Sequence, residues 1–243
     1  MYGLLYKDTI IMRKSLLPTL VGILPVQFMH FVGVLGEPDV EISNIYKMMS
    51  LFSIICTFYI IGMFQQGVFE PDERKKWAYY VTATEGGAKA QVGEKYILVY
   101  LASMSTVILC NCMNSIAIDV TGDKAVPMMG ITFALFFVQM FLRAIDIPFM
   151  IAFGSKKGNL LHGAILVAGL FLLAAYLLFG DLSFFGNSMD GFWDRVFELM
   201  EVGNNVKVMI VLLSAALAVM PLYYLSYRLS CKLYLKGVDG YDK

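Results

Sequence analysis

Charge is what this chain has little of. Asp, Glu, Lys and Arg make up only 16% of its 243 residues, where a soluble domain carries about 25%. With 58% hydrophobic residues and a mean hydropathy of +0.68, that shortage excludes an ordinary water-soluble domain and makes lipid the expected solvent. The net charge is zero, so no global field recruits nucleic acid or an acidic partner. Catalytic motifs are missing too. There is no G-x-x-x-x-G-K-[ST] phosphate loop, no H-E-x-x-H and no nucleophile elbow, so neither nucleotide binding of that kind nor intrinsic catalysis is expected. The histidines, His30 and His162, stand alone in different apolar stretches and read as packing residues. Cysteine is equally uninformative: Cys56, Cys110, Cys112 and Cys231 include one close pair, and on a helix neighbours two apart face away from each other. Neither a metal site nor a disulfide is expected from them. The apolar run after Lys14 reaches about Gly36 without a small-residue cleavage site, which reads as a span rather than a signal peptide.

What is present is apolar sequence in long continuous runs. Six stretches, about 15–36, 45–69, 95–117, 126–152, 158–180 and 206–230, approach the roughly 20 residues that cross a bilayer. They lack the two-residue alternation of barrel strands, so the expected fold is an all-α polytopic membrane protein of six transmembrane helices. If both termini are cytoplasmic, the inner side carries fourteen Lys and Arg and the outer side four, Lys47, Lys124, Arg195 and Lys207, with Arg143 left inside a span. That asymmetry sets the orientation. No linker, charge block or internal repeat marks a second domain, so residues 1–243 are expected to form a single membrane domain.

The longest polar stretch, "FEPDERKKWAYYVTATEGGAKAQVGEKY" at 69–96, then falls between spans two and three on the cytosolic side. Pro71, Asp72 and Glu73 suit the start of a helix, and Gly86 and Gly87 suit its end. Trp77, Tyr80, Val81 and Thr84 share one face, with Arg74, Lys75 and Lys76 on the other. Such a helix fits the inner leaflet of a membrane, aromatic side down, and equally a groove on a cytosolic protein. The first fourteen residues, "MYGLLYKDTIIMRK", are similar in kind and read as a second amphipathic helix on the inner face.

Polar groups also stand inside the spans. Arg143 and Asp146 lie three residues apart on one face of span four, where a charge costs roughly 2.5–3.5 kcal/mol to insert. They read as a gate or an inter-helix lock, or as a local ion pair that makes insertion tolerable. Pro148 frees the carbonyl of Ala144, which predicts a bend. Span three carries Ser103, Ser105, Thr106, Asn111, Asn114 and Ser115, polar residues at helical spacing that favour bonds to neighbouring helices over a lining role. On the outer side, residues 181–205 place Phe192, Trp193, Val196, Phe197 and Met200 along one face of a short helix, which reads as a membrane-surface anchor.

"MYGLLYKD" followed by a Lys/Arg pair, together with "F-E-x-D-E-R-x-K-W-x-x-Y" running to "V-G-E-K-Y", resembles the membrane subunits of type 2 ATP-binding-cassette exporters. The likeness is to the small-permease group that includes the phenol-soluble modulin exporter of Gram-positive bacteria. That resemblance implies a permease in a bacterial cell membrane, paired with a second copy or a sister permease. A separate ATP-binding-cassette ATPase subunit would carry ATP and magnesium, with no cofactor in this chain. It also implies that residues 70–94 are the coupling segment that meets the ATPase and that residues 1–14 form an interface helix beside it. The contact residues would be Glu70, Asp72, Glu73, Arg74, Lys76, Trp77, Tyr80, Lys7 and Asp8. The outer segment with Phe192, Trp193 and Phe197, which in the family caps the exit, would be an extracellular gate if it is not a surface anchor alone. The chain departs from the family at "TEGGAKA" (84–90), where the family often has a Pro and a basic residue. The expected function is the transmembrane subunit of an ATP-driven exporter for a hydrophobic or amphipathic cargo, a peptide above all. The alternative is a non-transporting sensor or immunity subunit that holds a cytosolic partner.

Overall fold

The computed structural model describes residues 2–32, 40–69, 86–121, 128–180 and 206–239. Within them the chain is helical and no strand occurs. The helices are α1 (Tyr2–Val32), α2 (Val40–Gly67), α3 (Gly87–Thr121), α4 (Met129–Phe153), α5 (Ser155–Phe179) and α6 (Val206–Asp239). Four carry stretches long and apolar enough to cross a membrane: Met48–Gln65, Gly87–Val120, Met129–Phe153 and Met209–Leu235. In α5 the apolar stretch is the shorter Gly163–Tyr176. The first expected span, 15–36, runs past the described end of α1.

Three boundaries differ from the sequence expectation. The amphipathic segment 1–14 is not a separate helix, because α1 runs from Tyr2 to Val32 as one element. No glycine or turn sequence interrupts residues 4–21, and Ser15 and Thr19 hold the junction by donating to the carbonyls of Met12 and Ser15 at 2.9 and 2.7 Å. Residues 87–94, expected within the coupling segment, belong to α3. Gly86 and Gly87 take φ of 90° and 46°, a conformation open to glycine, and α3 starts on Gly87. The helix expected from Pro71 onward, which these glycines would end, lies outside the described residues. Ala88, Val92, Tyr96 and Val99 follow at helical spacing, and all four are buried. The turn between α4 and α5 is a single residue, Gly154 at φ 87°, where a stretch from 154 to 158 was expected. Its N–H donates to Met150 O at 2.9 Å, and Gly158 packs so closely on Met150 that a side chain there would collide with it.

Helix α4 packs most extensively against α6, and α1 against α2, while α3 touches α1, α2, α4 and α6. The buried apolar side chains form two groups along the bundle. One gathers Val68, Phe69, Val92, Tyr96, Val99, Ile147, Met150 and Cys231, at the end of the bundle where α1 and α3 start and α2, α4 and α6 finish. We call this the near end. The other gathers Leu51, Ile54, Phe58, Val107, Cys110, Met128, Phe136, Met140 and Val219, toward the far end. Large apolar side chains that face outward, such as Leu17, Leu24, Phe28, Phe171, Leu172 and Leu217, suit a lipid surround.

Candidate functional site

Residues Glu70, Asp72, Glu73, Arg74, Lys76, Trp77 and Tyr80 lie outside the described residues, as do Phe192, Trp193 and Phe197 and the side chain of Lys7. What the structure describes is a set of buried polar side chains on α1 to α4 and α6.

Arg143 is the centre of one network. It is 3% exposed and its ion-pair partner Asp146 1%, joined from Nη1 to Oδ2 at 3.4 Å. The remaining guanidinium donors leave α4 altogether. Nη2 donates to the carbonyl of Gly62 at 2.5 Å and Nε to Gln65 Oε1 at 3.0 Å, both on α2. Because a guanidinium only donates, the oxygen of Gln65 must face it. The Gln65 amide nitrogen is thereby turned toward α3, where it donates to Val99 O at 3.0 Å and Ser103 Oγ at 2.7 Å. Gln139, one turn before Arg143, adds a second donor to Gln65 Oε1 at 3.1 Å. A single glutamine thus passes the arginine's hold from α4 through α2 to α3. Gly62 belongs to the same geometry, since a Cβ on it would stand 3.0 Å from Arg143 Nη2.

The "VGEKY" stretch forms the second cluster, residue by residue. Val92 enters the near-end core. Gly93 lets the ring of Tyr227 lie within 3.5 Å of where a Cβ would be. Glu94 is buried. Lys95 forms an ion pair with Asp8 of α1 and donates to the carbonyl of Val68, at the end of α2, at 2.7 Å. Tyr96 packs against Tyr223 and Tyr227 of α6, tilted to the first ring and edge-on to the second, with ring centroids 4.8 and 5.6 Å away. Its hydroxyl sits 2.6 Å from Ser226 Oγ and 2.8 Å from Ser230 Oγ.

The proton order at Tyr96 follows from its neighbours. Ser226 Oγ lies 2.5 Å from the carbonyl of Ala144, which can only accept, so the one hydroxyl proton of Ser226 goes there. Tyr96 must then donate to Ser226, and Ser230 to Tyr96. The carbonyl at the end of this chain is the one that Pro148 leaves without its helical donor, as the sequence predicted. The sequence did not show where the replacement comes from. It comes from α6.

Farther along the bundle the polar contacts are neutral. Gln27 of α1 donates to Thr57 Oγ1 at 2.8 Å and approaches Cys110 Sγ at 3.7 Å, while Ser53 donates to Val26 O at 2.9 Å. Asn111 of α3 donates to Thr132 Oγ1 of α4 at 3.0 Å, an inter-helix bond of the kind expected for span three. Ser103 also faces a neighbour, whereas Ser105 is exposed and bonds within its own helix. Cys110 is buried and Cys112 exposed, facing apart as their spacing requires. Among the described residues no group of three or more His, Cys, Asp or Glu could hold a metal.

Asp8, expected among the ATPase-contacting residues, is 2% exposed and engaged by Lys95. Gln65, Gln139, Lys95 and Tyr96 had no role in the sequence reading. Lys95 was counted with the cytoplasmic charges and the glutamines were passed over. The signal available for them was position: uncharged amides in the middle of apolar helices, where each needs a partner.

A family model described as ABC-2 family transporter protein matches residues 3–235 of the chain. No curated protein and no solved structure matches it.

Proposed function

The chain belongs to the ABC-2 family of transporter proteins, a transmembrane transport component, and from that premise we propose that it is the permease subunit of an ATP-driven exporter. Its near end faces the cytoplasm, and α1 and α5 complete six spans with the four that are long and apolar enough. ATP, magnesium and hydrolysis belong to a separate ATPase subunit. Two permeases, identical or sisters, enclose the pathway, and the cargo is a hydrophobic or amphipathic peptide. The outward-facing segment 181–205, with Phe192, Trp193 and Phe197, guards its exit.

The observation that carries this reading is the Arg143 network. Gly62 and Gln65 sit in the last two turns of α2, and Val99 and Ser103 lie farther along α3, the helix that begins where the polar segment ends. The buried guanidinium binds α2 to α4, and the Gln65 amide binds α3 to α2. A displacement delivered by an ATPase to residues 70–85, on Glu70, Asp72, Glu73, Arg74, Lys76, Trp77 and Tyr80, therefore enters two helices already tied to a third. On this reading Arg143 and Asp146 form the lock that makes the three respond together.

The test is co-purification from native membranes of a tagged chain and of a Trp77→Ala, Arg74→Glu version. The expected result is a stoichiometric P-loop ATPase with the first, lost or much reduced with the second, since buried aromatic and Arg side chains anchor interfaces. No ATPase with either version would overturn the exporter reading in favour of a membrane-held sensor.

A further inference from the structure

The two stretches that carry the family resemblance meet in space. Asp8 closes "MYGLLYKD" and Lys95 stands in "VGEKY", eighty-seven residues apart, and their side chains form an ion pair in which the ammonium is 4% and the carboxylate 3% exposed. The same ammonium donates to the carbonyl of Val68, which follows the last residue of α2 and so lacks a following helical turn to satisfy it. Val68 and Phe69 are both held in the near-end core. One lysine thus binds three helix ends: the first turns of α1, the finish of α2 and the start of α3.

The choice of residue fits that task. Two acceptors from different helices, the Asp8 carboxylate and the Val68 carbonyl, lie around one point, and a compact ammonium with three rotatable donors can serve both while its own stem belongs to α3. A buried ion pair is also a poor source of stability, because desolvation cancels most of the attraction and apolar side chains of similar volume would serve as well. What it supplies is position. Packing alone lets a helix rotate or slide a little against its neighbours, whereas a charge pair away from water has a single geometry.

We propose that Lys95 is a positioning residue that makes the first turns of α1 move as one body with the ends of α2 and α3 that flank residues 70–85. The inference rests on the exporter reading for what drives the movement and extends it to α1, which then receives the stroke through Asp8 and not by direct contact with the ATPase. Asp8 belongs on the inside of the coupling machinery.

The experiment uses spin labels at Gly3 and Lys89, both exposed, in the full chain reconstituted in lipid nanodiscs with the ATPase that co-purifies with it. Distances are read by pulsed electron resonance. In the wild type one narrow distance is expected, unchanged when the ATPase is trapped with vanadate. In Asp8→Leu, Lys95→Met, which removes both members of the ion pair, the distance is expected to broaden and to differ between the resting and trapped states. Lys95→Arg, with Asp8 kept, is expected to fall between. The same single narrow distance in the double variant and the wild type, resting and trapped, would overturn the proposal. A wild type that retains no ATPase would instead overturn the exporter reading, and the width of the distance in the chain alone would still decide whether Lys95 ties α1 to α3.

Discussion

The near and far halves of this bundle are built from similar apolar side chains, but their polar contacts differ in kind. Near the chain ends, Arg143, Asp146, Lys95 and Asp8 are buried and paired, and their bonds run between α1, α2, α3 and α4. Among the described residues toward the far end, inter-helix bonds join neutral groups, Gln27 with Thr57 and Asn111 with Thr132, around a core of Leu51, Phe58, Phe136 and Met140. Charge pairs out of water tolerate little change of geometry. Neutral bonds and methionine-rich packing tolerate repacking. On the proposed exporter reading, force would enter at the near end as at a rigid unit and the far end would be the part that opens.

That contrast can be broken most directly at Arg143. Arg143→Met takes the guanidinium away from Asp146 and removes the donors to Gly62 and Gln65. It is expected to cost about 3–5 kcal/mol, the usual penalty for leaving half of a buried pair, read as a lowered thermal midpoint in detergent by circular dichroism. Adding Asp146→Leu should restore most of that stability without restoring export. Recovery of both would show that the pair serves insertion alone. Next in size, Gly62→Val pushes a branched side chain into the guanidinium and should cost about 1–3 kcal/mol. The same substitution at Gly163, where a side chain meets open space, should be close to neutral in the same melt.

Ser226→Ala removes the donor that replaces the missing N–H at Pro148 and should cost about 1–3 kcal/mol, the price of an unmet buried carbonyl. Ser226→Thr, which keeps the hydroxyl, should cost less, and equal losses for the two would point to packing. The smallest effect belongs to the far half. Asn111→Ala is expected to cost about 0.6 kcal/mol, typical of a neutral bond between membrane helices. A loss there as large as that of Arg143→Met would erase the distinction between the halves.

Much of the frame was legible in sequence because it depends on short-range properties. Run length and the lack of alternation announced helices, and the three-residue spacing of Arg143 and Asp146 put them on one face. Pro148 announced a freed carbonyl. What stayed hidden needed register between helices. Nothing near Gln65 in the chain says that its oxygen meets Arg143, seventy-eight residues on. Lys95 looked like one more cytoplasmic cation because its partners come from α1 and the end of α2. The glycines at 86 and 87 carried a second signal: a positive φ marks the start of a helix after a turn as well as the end of one before it, and α3 starts on Gly87.

Pro148 and Ser226 also constrain the order in which substitutions can accumulate. A carbonyl oxygen has two lone pairs, so a chain with an ordinary residue at 148 can acquire the serine first and simply give Ala144 a second donor. The reverse order passes through an intermediate whose carbonyl has neither. Two residues on different helices are thus joined as a history with a permitted direction, and a library that varies both positions should recover Ser226 without Pro148 far more often than Pro148 without a hydroxyl at 226.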